Sequence, residues 1–132
     1  MKYKFLINNR KIIVFATIEG INDIRRYKFI LDTGASKTVI DNDVVIRLGF
    51  DLKGLTSGDR LMTAGGGVHS KIMKLPKFSL FGKDIDDFEV NVLRFPPQIT
   101  YFADGLIGMD FLLQFKNIRF DFEAKTIETS IL

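Results

Sequence analysis

The chain has 132 residues, 46% of them hydrophobic and 27% charged, which is enough length and apolar content for one domain with its own core. It carries a formal charge of +3 and no cysteine, which excludes a disulfide framework, a thiol nucleophile and a cysteine-based zinc site. We therefore expect a single domain over residues 1–132.

The first residues argue against secretion or membrane insertion. The apolar stretch near the N-terminus is interrupted by Asn-Asn-Arg-Lys at 8–11, which spoils the apolar region of a secretory signal. No apolar run approaches the roughly 18 residues that a membrane helix needs. We expect a cytoplasmic protein that does not contact a membrane.

The positive charge is concentrated at the start of the chain. Residues 1–28 carry seven Lys or Arg against two carboxylates, Glu19 and Asp23. A solvated strand face is our preferred interpretation, and an acidic partner or a membrane surface is the alternative. The sequence shows no helix-turn-helix pattern and no RNA-binding aromatic signature, so we expect no nucleic-acid partner.

The first half of the chain is rich in strand signals. KIIVFATIE (11–19) and RRYKFIL (25–31) are β-branched and aromatic runs separated by turn residues, which predicts a hairpin. After a small-residue loop at 32–36, a strand resumes at 38–40. Asp41 can then cap a short helix that runs through Leu48 and ends at Gly49.

The second half continues the pattern. Residues 51–59 read as a loop, 60–80 as two strands hinged at three glycines, 84–93 as a strand, and 95–97 as a turn. The apolar spacing of MDFLLQF (109–115) favours a second short helix, and two closing strands follow. These elements predict an all-β domain with two short helices.

Asp32 is the residue that needs an explanation, because it follows the apolar run Phe29-Ile30-Leu31 directly. An aspartate at a strand end is usually a turn former, and Gly34 beside it permits a tight turn. The context is more specific, because small residues and then apolar residues follow. About seventy residues later, Leu106-Ile107-Gly108 again places two apolar residues before a glycine, and a predicted short helix follows.

FILDTGASKTVI (29–40) together with DGLIGMDFL (104–112) resembles the retropepsin-like aspartic peptidases, the single-lobe members of clan AA, including bacterial ones. The resemblance extends over roughly residues 11–127. It implies an acid-protease barrel lobe in which Asp32 is the catalytic residue of an aspartic endopeptidase.

The resemblance also implies roles for other positions. Thr33 would lock two active-site loops together across a dimer, and Gly34, Ala35 and Ser36 would complete the active-site loop. Asp110 would be structural. The glycine-bearing flap that covers bound peptide would consist of Ala64, Gly65, Gly66, Gly67 and Val68. The element that braces the catalytic loop would consist of Leu106, Ile107 and Gly108. A plain flexible turn is the alternative for the glycines.

Peptide hydrolysis of this type needs one carboxylate to activate water and a second, protonated carboxyl to donate to the substrate carbonyl. The chain has one Asp-(Ser/Thr)-Gly triplet, so we expect a homodimer that contributes Asp32 twice, acting on extended peptides without metal or cofactor. Because Ala35 offers no hydroxyl to the carboxylate, we expect a mildly acidic activity optimum. The alternatives are a non-catalytic module of the same fold that binds peptides or dimerises, and a barrel that binds a small apolar ligand.

Asp104 has two possible roles at this stage. One is structural, and the other is to line the cleft near the paired aspartates.

Overall fold

A computed structural model describes residues 1–63 and 66–131 of the chain. Three short helices cover Asn42–Arg47 (α1), Pro97–Thr100 (α2) and Met109–Leu112 (α3), and a 3-10 turn covers Leu52–Gly54. The strands are Lys2–Lys4 (β1), Leu6–Asn8 (β2), Lys11–Glu19 (β3), Ile24–Leu31 (β4), Val39–Asp41 (β5), Thr56–Thr63 (β6), Gly66–Leu80 (β7), Lys83–Leu93 (β8), Gly105–Ile107 (β9), Phe115–Asp121 (β10) and Thr126–Ile131 (β11).

Eight of these strands form one sheet that closes on itself. Its order is β2-β3-β4-β9-β5-β8-β7-β6, and a further pairing joins β3 to β7 where Ile18 faces Phe78. Six strands, from β3 round to β7, therefore make a closed barrel, and closure leaves those strands without a free edge. The barrel expected from the sequence is confirmed.

Strand β9 is placed between β4 and β5, which are neighbours in sequence but not in space. It pairs parallel to β4, with Leu31 opposite Ile107, and antiparallel to β5, with Val39 opposite Leu106. The chain must consequently pass around the end of β9 to go from β4 to β5. Residues 32–38 make that passage.

The remaining strands form a separate sheet in the order β1-β11-β10. Lys2 pairs with Glu128 and Phe120 with Ile127, so this sheet joins the two ends of the chain. The β10–β11 hairpin confirms the closing strands expected from the sequence.

The main core lies inside the barrel and continues under α3. It is rich in phenylalanine, with ring centroids 5.0 to 6.1 Å apart among Phe29, Phe78, Phe88 and Phe111. Such tilted and edge-to-face contacts add to the free energy gained by burying the rings. A second, smaller cluster is built on Ile13, Ile30 and Ala103.

Three parts of the fold differ from the sequence prediction. Strands β1 and β2 were not predicted, because each has three residues and is defined by distant or local pairing rather than by an apolar pattern. Strand β6 begins at Thr56, inside the stretch expected as a loop, and a register shift between Ser57 and Arg60 accommodates its polar residues. Helix α2 replaces the expected turn and begins with Pro97, a favoured residue at the first helical position.

Helix α1 and its cap agree with the prediction. Asp41 accepts the backbone N–H of Asp43 at 3.1 Å, and the helix ends before Gly49, whose φ of 92° suits glycine. No helix in the described parts of the chain combines the length and the apolar composition of a membrane span.

Candidate active site

Asp32 stands at the first position after β4, where the chain leaves the barrel wall. Its backbone N–H donates to the carbonyl oxygen of Ile107 on β9 at 2.9 Å. Its side-chain Oδ1 accepts the N–H of Gly34 at 2.9 Å, and the residue is partly exposed. The strand pairing fixes the backbone, and the Gly34 bond fixes the carboxylate, so Asp32 is presented to solvent in one orientation.

The loop after Asp32 is a tight turn. The N–H of Ala35 donates to the Asp32 carbonyl oxygen at 3.2 Å. A Cβ on Gly34 would lie only 3.2 Å from Asp32 Oδ1, so glycine at this position lets the N–H approach the carboxylate. Thr33 and Ser36 are exposed and Ala35 is half-buried.

The segment that follows β9 holds this loop from beneath. The N–H groups of Met109 and Asp110 donate to the carbonyl oxygens of Ala35 and Ser36 at 2.8 and 3.1 Å. A Cβ on Gly108 would lie 2.5 Å from the Lys37 carbonyl carbon, so a larger residue there would displace the loop. The structure thus brings the two sequence motifs, 32–38 and 106–110, into direct contact.

Thr38 and Asp110 make the strongest link between the two motifs. Asp110 Oδ1 accepts the Thr38 N–H at 2.9 Å and the Thr38 hydroxyl at 2.8 Å. Thr38 is fully buried, and its Oγ1 in turn accepts the N–H of Gly108 at 3.1 Å. Asp110 also accepts the N–H of Phe111. A buried polar residue needs such partners, so this network fixes where the loop starts and ends.

Sequence reasoning missed Thr38. A threonine before Val-Ile reads as an ordinary β-branched strand residue, and its only distinctive signal is a partner 72 residues away. The resemblance alone led us to expect a structural role for Asp110. Its hydrogen bonds with Thr38 show how Asp110 holds the active-site loop.

Asp104 lies away from Asp32. Its Oδ2 accepts the N–H of Lys28, its carbonyl oxygen accepts the N–H of Asp41, and its Oδ1 is 3.7 Å from the Arg47 guanidinium. Since β4 and β9 are parallel, Asp104 sits beside the start of this pairing, about 13 Å along β4 from Asp32. These contacts favour the structural role.

The expected flap falls on the β6–β7 hairpin. Ala64 and Gly65 lie outside the described residues, whereas Gly66, Gly67 and Val68 form the start of β7. Gly66 has a φ of 110°, a conformation that favours glycine. The pairing of β7 with β8 begins only at Lys71, so the stretch of β7 before it pairs with β6. This two-stranded arm extends beyond the barrel wall.

Asp32 is the one carboxylate in the loop 32–38, all of which the structure describes. Among the residues that the structure describes, no Lys, Arg or His nitrogen lies within 4.0 Å of the Asp32 carboxylate. Of the other carboxylates of these loops, Asp104 lies about 13 Å away along β4, and Asp110 Oδ1 accepts the N–H groups of Thr38 and Phe111 and the Thr38 hydroxyl. In residues 1–63 and 66–131, no three His, Cys, Asp or Glu side chains group as metal ligands would. The arrangement can activate one water molecule, and it lacks a second acid.

Comparison of the sequence with protein families matches most of the chain to a known family. Residues 14–111 fit the family described as "Aspartyl protease". That span is about three quarters of the chain and includes residues 32–38 and 106–110. No curated protein matches the sequence.

Comparison with solved structures gives the same fold. A retropepsin-like aspartic protease from Rickettsia conorii superposes with a TM-score of 0.73 at 24% identity, covering 98% of this chain and 89% of that one. The EIAV protease in complex with the inhibitor HBY-793 gives 0.62 at 19% identity, covering 82% and 92%. The retroviral protease-like domain of Ddi1 from Leishmania major gives 0.56 at 19% identity, covering 91% and 92%. At these identities the likeness establishes the retropepsin fold.

Proposed function

The chain belongs to the aspartyl protease family, and on that premise we propose that it is an aspartic endopeptidase that hydrolyses extended peptides as a homodimer. The observation that carries the proposal is the placement of Asp32. Its carboxylate follows a barrel strand directly, accepts the Gly34 N–H, and stands on a loop braced by the Thr38–Asp110 network. A turn-forming aspartate would not require such bracing from a segment seventy residues away.

The second carboxyl comes from another copy of the chain. Two adjacent carboxyls share one proton because both cannot ionise cheaply together, so one Asp32 accepts a proton from water while the other donates to the substrate carbonyl. A two-fold axis beside Asp32 supplies this pair from a single triplet. Thr33 is exposed next to Asp32, where it can contact the partner's loop.

The peptide lies between the active-site loops and the flap. It adds as an extended strand, bound by main-chain hydrogen bonds, with side chains in alternating pockets. The proposed flap consists of Ala64, Gly65, Gly66, Gly67 and Val68, and the proposed bracing element of Leu106, Ile107 and Gly108. The two-stranded arm that bears Gly66 to Val68 supports the flap assignment, because such an arm can move against a rigid barrel. Cytoplasmic location stays a prediction.

A subunit-mixing experiment tests the dimer directly. A ninefold excess of Asp32→Asn protein is added to a fixed amount of wild type, at concentrations where the protein is shown to be dimeric. Random exchange leaves about one tenth of the wild-type subunits paired with each other, so the cleavage rate should fall to about one tenth.

Asp86→Asn is the matched control, because Asp86 is an exposed carboxylate on β8. Because this variant keeps Asp32, all mixed dimers stay active, so the same excess should raise the rate about tenfold, in proportion to total protein. If Asp32→Asn leaves the rate unchanged after exchange is complete, the shared active site is wrong. If wild type cleaves nothing while remaining a dimer that binds peptides, the non-catalytic module is the better description.

A further inference from the structure

A concave surface of about 500 Å³ lies on the side of β3 and β4 that faces away from the main core. Phe15 and Lys28 are directly paired across the two strands, and Arg26 lies diagonally opposite on the same face. The other wall is formed by the residues that follow α2. We call this surface the basic groove; the residues that define it are Phe15, Arg26, Lys28, Tyr101, Phe102 and Asp104.

Arg26 in the basic groove, and Lys11 next to it, each lie over an aromatic ring rather than against a carboxylate. The Arg26 guanidinium lies 4.9 Å from the centre of the Phe15 ring, and the Lys11 ammonium lies 4.9 Å from the centre of the Phe102 ring. Among the side chains that the structure describes, no carboxylate comes within 4.0 Å of the Lys11, Arg26 or Lys28 cation. Their charge is therefore available to an anion from outside.

Asp104 is the one carboxylate among the described lining residues, and it already has partners. Its Oδ2 accepts the Lys28 N–H at 3.0 Å and its Oδ1 lies 3.7 Å from Arg47. Its negative charge is therefore offset by Arg47 in part, and the groove keeps an excess of positive charge.

The positive surface continues beyond the basic groove. A second concavity of about 280 Å³ shares Phe15 and Arg26 with it and is also bordered by Lys4 and Leu6. Four of the seven cations in residues 1–28 consequently border these two hollows or stack on their rings: Lys4, Lys11, Arg26 and Lys28. The positive charge of residues 1–28 is therefore concentrated around a concave surface rather than spread evenly over a solvated strand face.

The basic groove lies along β4, and Asp32 follows the end of that strand. Lys28 precedes Asp32 by four residues, about 13 Å of extended chain. Ile30 shares the face of Lys28, and it packs in the small cluster with Ala103 and Phe102. A peptide extended from Asp32 can therefore reach the groove within about four residues.

We propose that the basic groove binds an acidic segment of the protein substrate, about four residues from the bond that is cleaved. The position relative to the cleaved bond rests on the proposed function, whereas binding of an acidic segment to the groove does not. Charge complementarity identifies the occupant, because Arg26 and Lys28 in the groove and Lys11 on the Phe102 ring attract carboxylates. The Tyr101 and Phe102 rings give the segment apolar contact. A hollow of this volume suits a few side chains better than the flat surface of a bilayer.

The binding experiment uses Asp32→Asn protein, so that no probe is cleaved. The probe is a fluorescent octapeptide of Asp and Glu with one central Phe, compared with the same peptide carrying Asn and Gln. Removing two cations with Arg26→Gln and Lys28→Gln should weaken acidic-peptide binding roughly tenfold, and 0.5 M salt should weaken the parent to a similar degree.

The matched control removes the same charge elsewhere. Lys53 and Lys116 are exposed and line neither hollow, so Lys53→Gln with Lys116→Gln should change binding less than twofold. Equal binding by the groove variant and the parent would overturn the proposal. So would tighter binding of single-stranded DNA, or of phosphatidylserine vesicles, than of the acidic peptide with the same dependence on Arg26 and Lys28.

Cleavage by the active enzyme separates this inference from the proposed function. Substrates with acidic residues four positions before or after the scissile bond should show a KM several-fold higher in the groove variant, with kcat unchanged. If cleavage does not depend on the acidic substrate residues or on Arg26 and Lys28, the groove proposal is wrong and the proposed peptidase activity stands. If the acidic peptide binds in a charge-dependent way but wild type cleaves nothing, the binding site stands and the proposed peptidase activity is wrong.

Discussion

Asp110 is the residue whose removal should most clearly expose how the site is held together. In Asp110→Ala, the N–H and the hydroxyl of Thr38 lose their acceptor, and Thr38 is fully buried. An unsatisfied buried donor costs about 1–3 kcal/mol, so the two together predict a loss of about 2–6 kcal/mol in the free energy of unfolding. Domains have about 5–15 kcal/mol in total, so the effect is large.

Two companion variants make the prediction specific. Asp110→Asn keeps a carbonyl oxygen as acceptor and loses only the charge that strengthens both bonds, so its stability should lie between wild type and Asp110→Ala. Thr38→Val removes the hydroxyl and leaves the Gly108 N–H without its acceptor. Because Thr38→Val and Asp110→Ala break one shared bond, the double variant should lose less than the sum of the two losses.

Urea unfolding measures these losses. The chain has no tryptophan, so far-UV circular dichroism is the suitable signal, at one fixed protein concentration because dimerisation adds to apparent stability. The unfolding midpoint should fall in the order wild type, Asp110→Asn, Asp110→Ala, with an unchanged slope. An Asp110→Ala protein within 0.5 kcal/mol of wild type would refute the reasoning, as would full additivity with Thr38→Val.

Three further outcomes follow from the same coordinates. Gly108→Ala should lower the unfolding midpoint and the cleavage rate together, because its Cβ would meet the Lys37 backbone at 2.5 Å, whereas Gly54→Ala has open space and should change neither. Burial raises the pKa of Tyr27 above its usual 10.0, and its hydroxyl has no hydrogen-bond partner among the described residues. Tyr27 therefore contributes stability that is fully present below pH 10 and is lost as the pH rises through the raised pKa. By urea titration, the free energy of unfolding of Tyr27→Phe should match that of wild type at pH 7 within about 0.5 kcal/mol. At pH 11 the variant should have lost less of this free energy than wild type. Ala35→Ser introduces a hydroxyl beside the carboxylate, so its pH–rate profile should peak at lower pH than the mildly acidic optimum expected of wild type, and an unchanged profile would contradict that role.

The sequence predicts well those elements that a local pattern encodes. The β3–β4 hairpin, the cap of α1 at Asp41 and the helix after Gly108 each depend on residues within a few positions of one another, and each is present. The polar start of β6 shows the limit. Thr-Ser-Gly-Asp reads as a loop, and only pairing with β7 makes it a strand.

The site follows the same division. Asp32 can be found from the sequence because Gly34 beside it indicates a tight turn and because the segments 29–40 and 104–112 together resemble a known family. Thr38 cannot be found this way, because its function depends on Asp110, which lies 72 residues on in the chain. The insertion of β9 between β4 and β5 brings the two together, and no local spacing encodes it. The basic groove is another product of pairing, since Phe15 and Lys28 meet only across strands.

The dependence of peptide cleavage on protein concentration tests the central claim most directly. A diverse peptide library is incubated at mildly acidic and neutral pH with wild type and with Asp32→Asn, over a range of protein concentrations that spans the monomer–dimer transition. An active site shared between two subunits predicts a rate that rises faster than linearly with wild-type concentration and is absent from the variant. A rate that stays proportional to concentration in protein shown to be monomeric, or that persists in Asp32→Asn, would contradict it.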